Sequence, residues 1–302
     1  MIVTKKIFLL VFFCLFVFSS NAQVQALFND KVELKTMAAR WELDSTSARG
    51  TFLVTPYKQI YILPLAWSNN INKQPYSGND SPEYEAPKTD YDDVELKFQL
   101  SFKTKILQSV LWGKADLWVA YTQISHWQIY NADLSRPFRE VNYEPEVILN
   151  FPVKFNFLGF KTRMLGLAFN HESNGKSFPD TRSWNRVMLL AGLERKNLNI
   201  YIRPWYVIPE KSGDNPDISE YIGNGDLTVI YTNSRNVISF EGSHNFNFSG
   251  KMRGGATMSW SYPIKGNLRG LLQVTHGYGN SLIDYNKNQT TVGFGVSLIE
   301  WK

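Results

Sequence analysis

The chain has 302 residues, 15% of them aromatic with nine Trp, and a formal charge of +5. That length holds one large β-domain or two ordinary ones, and the modest charge, with no Lys/Arg cluster interleaved with aromatics, argues against a nucleic-acid partner. The only cysteine, Cys14, falls in an N-terminal targeting segment, so the mature chain has no disulfide, zinc–thiolate site or cysteine nucleophile.

Residues 1–22 read as a signal peptide. Lys5 and Lys6 supply the positive start, Ile7 to Phe18 the apolar run, and Ser20-Asn21-Ala22 the small-x-small cleavage site. The apolar run is about twelve residues, short of the ~20 that a spanning helix needs. No later stretch is apolar enough for a transmembrane helix, so any membrane span must be β. A mean hydropathy of -0.26 is compatible with that, because a transmembrane barrel has a polar interior. Residues 23–50 are polar without a period and form an N-terminal arm whose role is not legible. Residues 51–302 form the expected barrel domain.

The first strand candidate runs from Thr51 to Leu65. Asn69 to Asp93, rich in Asn, Pro, Ser, Asp and Tyr, reads as a long loop. Alternation then becomes explicit: Val94, Leu96, Phe98, Leu100 and Phe102 interleave with Glu95, Lys97, Gln99, Ser101 and Lys103. An apolar row opposite a charged row is the dyad pattern of a barrel strand. Leu117, Val119 and Tyr121 oppose Asp116, Trp118 and Ala120. Val147, Leu149, Phe151, Val153, Phe155 and Phe157 oppose Glu146, Asn150, Lys154 and Asn156. Further candidates lie near 184–195, 198–208, 225–234, 236–247, 253–262 and 269–280, and Val292, Phe294, Val296 and Leu298 mark the last. The expectation is an all-β chain, a transmembrane antiparallel β-barrel of about 12 strands. A soluble sandwich has the same period but shorter strands. Trp112, Trp118, Trp127, Tyr143, Trp184, Trp205, Trp260 and Trp301 are read as an interfacial girdle.

The chemistry sits in Asn170 to Arg186, NHESNGKSFPDTRSWNR. A serine attacking an acyl carbon needs a base, and the base needs a group to hold its ring. His171 and Ser173 are two apart, which puts them on one face of a strand. After a turn marked by Gly175 and Pro179, an antiparallel neighbour can return Asn185 to the side of His171. Leu165, Leu167, Phe169, His171 and Ser173 share a row, so base and nucleophile sit at the end of an apolar face. In a transmembrane barrel that face meets lipid. Arg186 has the opposite parity, so it is expected inside the barrel in a charge network with residues such as Glu95 or Glu172.

Asn-His-x-Ser-Asn-Gly, followed at fixed spacing by Arg-Ser-Trp-Asn-Arg, resembles the active-site signature of the outer membrane phospholipase A family. The resemblance extends to Tyr121-Thr122-Gln123, Pro137-Phe138-Arg139-Glu140, Asn142-Tyr143-Glu144-Pro145, Pro204-Trp205-Tyr206-Val207 and Asp214-Asn215-Pro216-Asp217-Ile218. It implies a calcium-dependent phospholipase of the bacterial outer membrane, a twelve-stranded barrel acting as a homodimer on the sn-1 and sn-2 acyl esters of phospholipids. By resemblance, Ser173 is the nucleophile, His171 the general base and Asn185 the residue that orients the imidazole. The Ca2+ ligands implied are Lys176 through its carbonyl, Thr181 through its hydroxyl and Ser135 from the partner chain, with Asp214 matching a ligand of the monomeric form. Lys176 stands where the family usually has Arg, and Thr181 where it usually has Ser. Gln123, whose parity places it on the apolar face, matches a glutamine that pairs across the dimer interface. The alternative is a passive outer-membrane porin or structural barrel with a degenerate site; its strand pattern would be identical, but it has no reason to keep the triad. An outer-membrane protease is expected to place acidic residues around a water-facing site, and a secreted esterase to be soluble without detergent.

Overall fold

The computed structural model describes residues 36–209, 214–233, 235–247 and 250–299. The expected signal peptide, the arm up to residue 35 and Trp301 lie outside the described residues.

Twelve strands close an antiparallel barrel: β2 (Ile60–Ser68), β3 (Val94–Ser109), β4 (Ala115–Trp127), β5 (Glu140–Phe157), β6 (Phe160–Ser173), β7 (Ser183–Arg195), β8 (Leu198–Ile208), β9 (Gly225–Asn233), β10 (Asn236–His244), β11 (Gly254–Lys265), β12 (Leu268–Gly277) and β13 (Gln289–Ile299). Each pairs with its neighbours in sequence, and β13 closes onto β2. A two-residue rung, β1 (Thr55–Pro56), adds to β3. Closure removes every sheet edge, the condition for strands to cross a bilayer.

The two ends differ. The connections at 110–114, 158–159, 196–197, 234–235 and 266–267 are short, whereas those at 69–93, 128–139, 174–182, 209–224, 245–253 and 278–288 are long. In outer-membrane barrels the short turns face the periplasm and the long loops face outward.

The expected alternation holds, and it is inverted relative to a soluble protein. On β3, Glu95, Lys97, Gln99, Ser101, Lys103 and Lys105 are buried while Leu100 and Phe102 are exposed. On β6, Met164, Ala168 and Asn170 are buried while Leu165, Leu167 and Phe169 are exposed. Charges line the lumen because they find partners there, and apolar side chains meet acyl chains outside.

The lumen is filled. Helix α1 (Met37–Trp41) is capped by the Thr36 hydroxyl, which accepts from the Ala39 N–H. Its Met37 and Trp41, with Leu43 just beyond, join the inward-facing Trp118, Ile148, Met164, Met188 and Tyr201 in one apolar cluster. Trp41 stands edge-on to Trp118 and Tyr57, with ring centroids 5.7 and 5.8 Å away. The Lys103 ammonium lies 3.9 Å from the Trp41 ring centre. Ion pairs fix the segment to the wall: Glu42 to Lys105 at 2.9 Å, and Asp44 to Lys154 and Arg163 at 2.8 Å each. Lys105 and Arg163 flank the short turns, so the segment occupies the short-turn end.

Two expectations are corrected. Trp118, Trp184 and Trp205 are buried in the lumen rather than in a girdle, while Trp112, Tyr143 and Trp260 are exposed; the even parity of Trp118 and Trp184 already placed them with the inward rows. The first strand starts at Ile60, not Thr51. Tyr57 instead turns inward, where its hydroxyl donates to Glu146. Pro64, which has no N–H for the ladder, coincides with the register shift between Leu63 and Ala66. Of the two partners named for Arg186, Glu172 is the one it meets, and Glu95 is engaged elsewhere. It binds His126 (2.6 Å) and Arg139 (2.7 Å), and Arg139 also reaches Asp284 at 3.0 Å. That cluster draws the 128–139 and 278–288 loops over the lumen.

Candidate active site on the lipid-facing wall

His171 and Asn185 are directly opposed across the β6–β7 ladder. The imidazole Nδ1 and the Asn185 Oδ1 are 2.9 Å apart. An amide oxygen only accepts, so Nδ1 carries the proton and donates it, which leaves the Nε2 lone pair free. The hairpin alone explains the fourteen-residue separation. Ser173 lies two residues beyond His171 on the same outward row, half-buried and opposite Ser183. Among the described residues no hydrogen bond joins its hydroxyl to the imidazole; in resting enzymes such contacts often tighten only when substrate binds.

The inward face of the same strands is a clamp. The Arg186 guanidinium donates to the Asn170 Oδ1 at 2.6 Å and to Glu172 at 2.9 Å, and lies 3.4 Å from Glu144. Glu144 is in turn paired with Lys58 at 2.6 Å. The Trp184 indole N–H donates to Glu172 at 2.9 Å, and the guanidinium stacks 3.9 Å from the Trp184 ring centre. The expected Arg186–Glu172 contact is therefore present. His171 sits between two clamp members and Asn185 between two others.

The loop from 174 to 182 carries the remaining candidates. It is tied by Asn174, a buried residue that sequence reasoning passed over. The Asn174 Oδ1 accepts from the Arg182 N–H (2.9 Å) and the Lys176 N–H (3.3 Å), while Nδ2 donates to the Asp180 carbonyl (2.8 Å) and lies 3.5 Å from the Glu140 carboxylate. Lys176 reaches inward, donating to the Arg139 carbonyl at 2.6 Å and pairing with Glu140 at 3.4 Å. The signal for Asn174 was its place directly after Ser173; three of its partners lie within the loop, and only Glu140, 34 residues away, is brought to it by the fold. Gly175 has φ +64°, and a Cβ there would lie 3.0 Å from the Tyr143 ring, so the turn out of Ser173 requires glycine.

Thr181 and Asp214 come into the same neighbourhood. Asn215 accepts the Ser183 N–H at 2.9 Å, which holds the segment carrying Asp214 against the start of β7. Ser135 lies on the 128–139 loop, where its carbonyl accepts from the Trp127 indole at 2.9 Å. Among the described residues no group of three or more His, Cys, Asp or Glu side chains is placed to hold a metal. The oxygen donors named for this loop, the Lys176 carbonyl and the Thr181 hydroxyl, are of the hard kind that calcium takes. One carboxylate oxygen in the loop, Asp180 Oδ1, is buried without a hydrogen-bond partner, as an unused ligand atom would be.

Gln123 faces outward, half-buried. Its amide accepts from the Tyr121 hydroxyl (2.9 Å) and donates to the Ser125 hydroxyl (3.1 Å). The three share the outward parity of β4, with Tyr121 and Gln123 half-buried and Ser125 fully buried at the end of the row.

Comparison with known proteins bears on the fold and the family. The family model for phospholipase A1 matches residues 37–298. Phospholipase A1 of Escherichia coli (strain K12) is 40% identical over 247 residues, covering 82% of each chain. The crystal structure of the Salmonella typhi outer membrane phospholipase dimer with bound calcium superposes with a TM-score of 0.75 at 37% identity, covering 88% of this chain and 98% of that one. An active-site mutant of Escherichia coli outer membrane phospholipase A, with asparagine changed to alanine, gives a TM-score of 0.76 at 36% identity, covering 88% and 99%.

Proposed function

The chain belongs to the phospholipase A1 family, and from that premise we propose that it cleaves phospholipid acyl esters with Ser173, His171 and Asn185. It is an ester hydrolase and an outer-membrane β-barrel phospholipase; the residue roles, the positions attacked, the metal and the dimer are the proposal. The observation that carries it is the His171–Asn185 hydrogen bond on a row that faces lipid. A site built there meets its substrate in the plane of the membrane.

The Ser173 Oγ attacks the ester carbonyl carbon at sn-1 or sn-2, and its proton passes to the His171 Nε2. Collapse of the tetrahedral intermediate breaks the ester C–O bond. The leaving lysophospholipid oxygen takes the proton from His171, leaving an acyl-serine. Water then attacks that acyl group, again giving its proton to His171, and the fatty acid and the free serine are regenerated. Asn185 holds the ring and the Nδ1–H tautomer but brings no charge, so it stabilises the imidazolium less than an aspartate. A bound calcium ion supplies positive charge for the developing oxyanion. Lys176 (carbonyl) and Thr181 (hydroxyl), with Ser135 of a second copy, would hold it, and Asp214 would serve in the monomer. A site shared between copies makes activity depend on dimerisation, with Gln123 at the interface.

The test is fatty-acid release from phospholipid by refolded protein in detergent, with and without calcium, beside Ser173→Ala. Calcium-dependent release that vanishes in the variant is expected. A folded wild-type barrel that releases nothing under any condition overturns the proposal.

A further inference from the structure

Two cavities away from the catalytic hairpin join on the outer wall. The first, about 860 Å³, lies across β8–β12 at the long-loop end. Its floor is formed where the outward rows lose their bulk, at Pro204, Gly225, Gly242, Gly254 and Ala256. Leu227 and Phe240 bound it towards the middle of the wall. Phe246 and Met252 stand over it from the 245–253 loop, 60% and 64% exposed. Phe246 holds φ +50°, the left-handed region that bulky residues rarely adopt. The second cavity, about 640 Å³, sits among the loops and is polar, with Ser219, Glu220, Asn245, Asn247 and Lys251 on its wall. Asn224 and Arg253 line both.

The junction carries donors. His244 and His276 are two of the chain's four histidines, and both border the apolar trough. The His244 Nδ1 accepts the Phe246 N–H at 2.8 Å, so the neutral ring carries its proton on Nε2 as a donor. Arg253 lies over the Tyr221 ring at 3.9 Å and 3.5 Å from Glu220. Glu220 offsets part of its charge, and Lys251 leaves the cup with a cationic excess.

We propose that this continuous trough and cup is a binding site for a phosphate-bearing, multiply acylated lipid of the outer leaflet, with its chains in the trough and its phosphate at Arg253, Lys251 and His244. Three arguments fix the occupant. The trough is continuous with the lipid-facing wall, so acyl chains are the material beside it. Volumes of this size match ligand sites. Basic residues at the membrane surface recognise anionic headgroups. Ser243 and His244 both line the trough, but as neighbours on β10 they point to opposite faces, so the serine–histidine arrangement proposed at His171 is not repeated there and the lipid is a resident partner rather than a substrate. The inference rests on the outer-membrane placement and not on the catalytic assignment.

The test is native mass spectrometry of the refolded barrel with bisphosphorylated lipid A, dephosphorylated lipid A and phosphatidylcholine as probes, phospholipase activity serving as the folding control. Wild type is expected to retain one bisphosphorylated lipid A in preference to the other two. Lys251→Ala/Arg253→Ala weakens retention roughly thirtyfold, the loss expected for two surface cations at a lipid headgroup. Ala256→Trp, which fills the trough on a lipid-facing position, weakens it without changing activity. Equal retention of the dephosphorylated lipid, or undiminished retention by Ala256→Trp, overturns the proposal. If the double variant loses activity, Lys251→Ala alone decides the headgroup contact.

Discussion

Replacing Asn174 by alanine tests whether the loop after Ser173, the proposed nucleophile, is held from inside the barrel. The side chain makes two short bonds to backbone groups, 2.9 Å from the Arg182 N–H and 2.8 Å to the Asp180 carbonyl. Truncation orphans both groups in a buried place, at ~1–3 kcal/mol each. The closed loop is then disfavoured by roughly 2–4 kcal/mol, since part of that cost relaxes as water enters. At 1.4 kcal/mol per decade, kcat is expected to fall at least about tenfold. The calcium concentration giving half-maximal rate should rise, because Lys176 and Thr181 lie within the loosened segment. The thermal unfolding midpoint should hardly move, since 174–182 lies outside the twelve strands. The assay is initial-rate fatty-acid release across a calcium titration, with heat-dependent gel mobility for the barrel. Wild-type kcat and calcium dependence in a folded Asn174→Ala protein would refute the reasoning.

The other expected outcomes concern the dyad, the lumen segment and the interface. Asn185→Ala removes one neutral hydrogen bond and frees the His171 tautomer, so kcat should fall about tenfold or more; Asn185→Asp, which keeps an acceptor at the same reach, should recover most of that rate, and steady-state kinetics decides. The Lys154 hydrogen bond, with the Arg163 charge acting the same way against burial, holds the Asp44 carboxyl below its ordinary value. A depressed folded pKa adds stability above the unfolded value of about 4, and that contribution is lost as pH falls through the folded pKa. Melting curves between about pH 6 and 3 should therefore drop less steeply for Asp44→Asn than for wild type; parallel curves count against the ion pairs. Gln123→Leu should weaken self-association by up to about tenfold while leaving activity at saturating dimer unchanged, as read by sedimentation in detergent; unaltered association would move the interface elsewhere.

What was legible in the sequence was whatever depends on parity. The strand at Val94, the polar face of β6 and the outward row ending at Ser173 all follow from period two, which survives any curvature of the barrel. The His171–Asn185 contact was legible because one hairpin makes it. The inward tryptophans were misread because abundance near strand ends was weighed above parity. Trp118 alternates with Leu117 and Val119, and parity alone places it inside. The Glu95–His126–Arg139–Asp284 cluster and the seat of Trp41 were not legible. Their partners lie on separate strands and loops, and nothing local records which lumen charges meet.

The same alternation couples chemistry to scaffold. Every outward residue of the dyad is bracketed by inward residues one position away: Asn170 and Glu172 about His171, Trp184 and Arg186 about Asn185. Arg186 bonds to both neighbours of His171, and Trp184 bonds to one of them. The two strands are thus pinned on the lumen side at the rungs that carry the proposed catalytic groups, His171 and Asn185, on the lipid side. A side chain facing acyl chains has no water and few polar neighbours to steady it. Its orientation must come through the backbone, and the ion-paired, hydrogen-bonded lumen supplies that constraint. The inverted barrel therefore does more than solve the membrane problem. It allows polar groups such as the proposed pair His171 and Asn185 to face lipid while the bonds that fix their spacing are made on the protected side of the same wall.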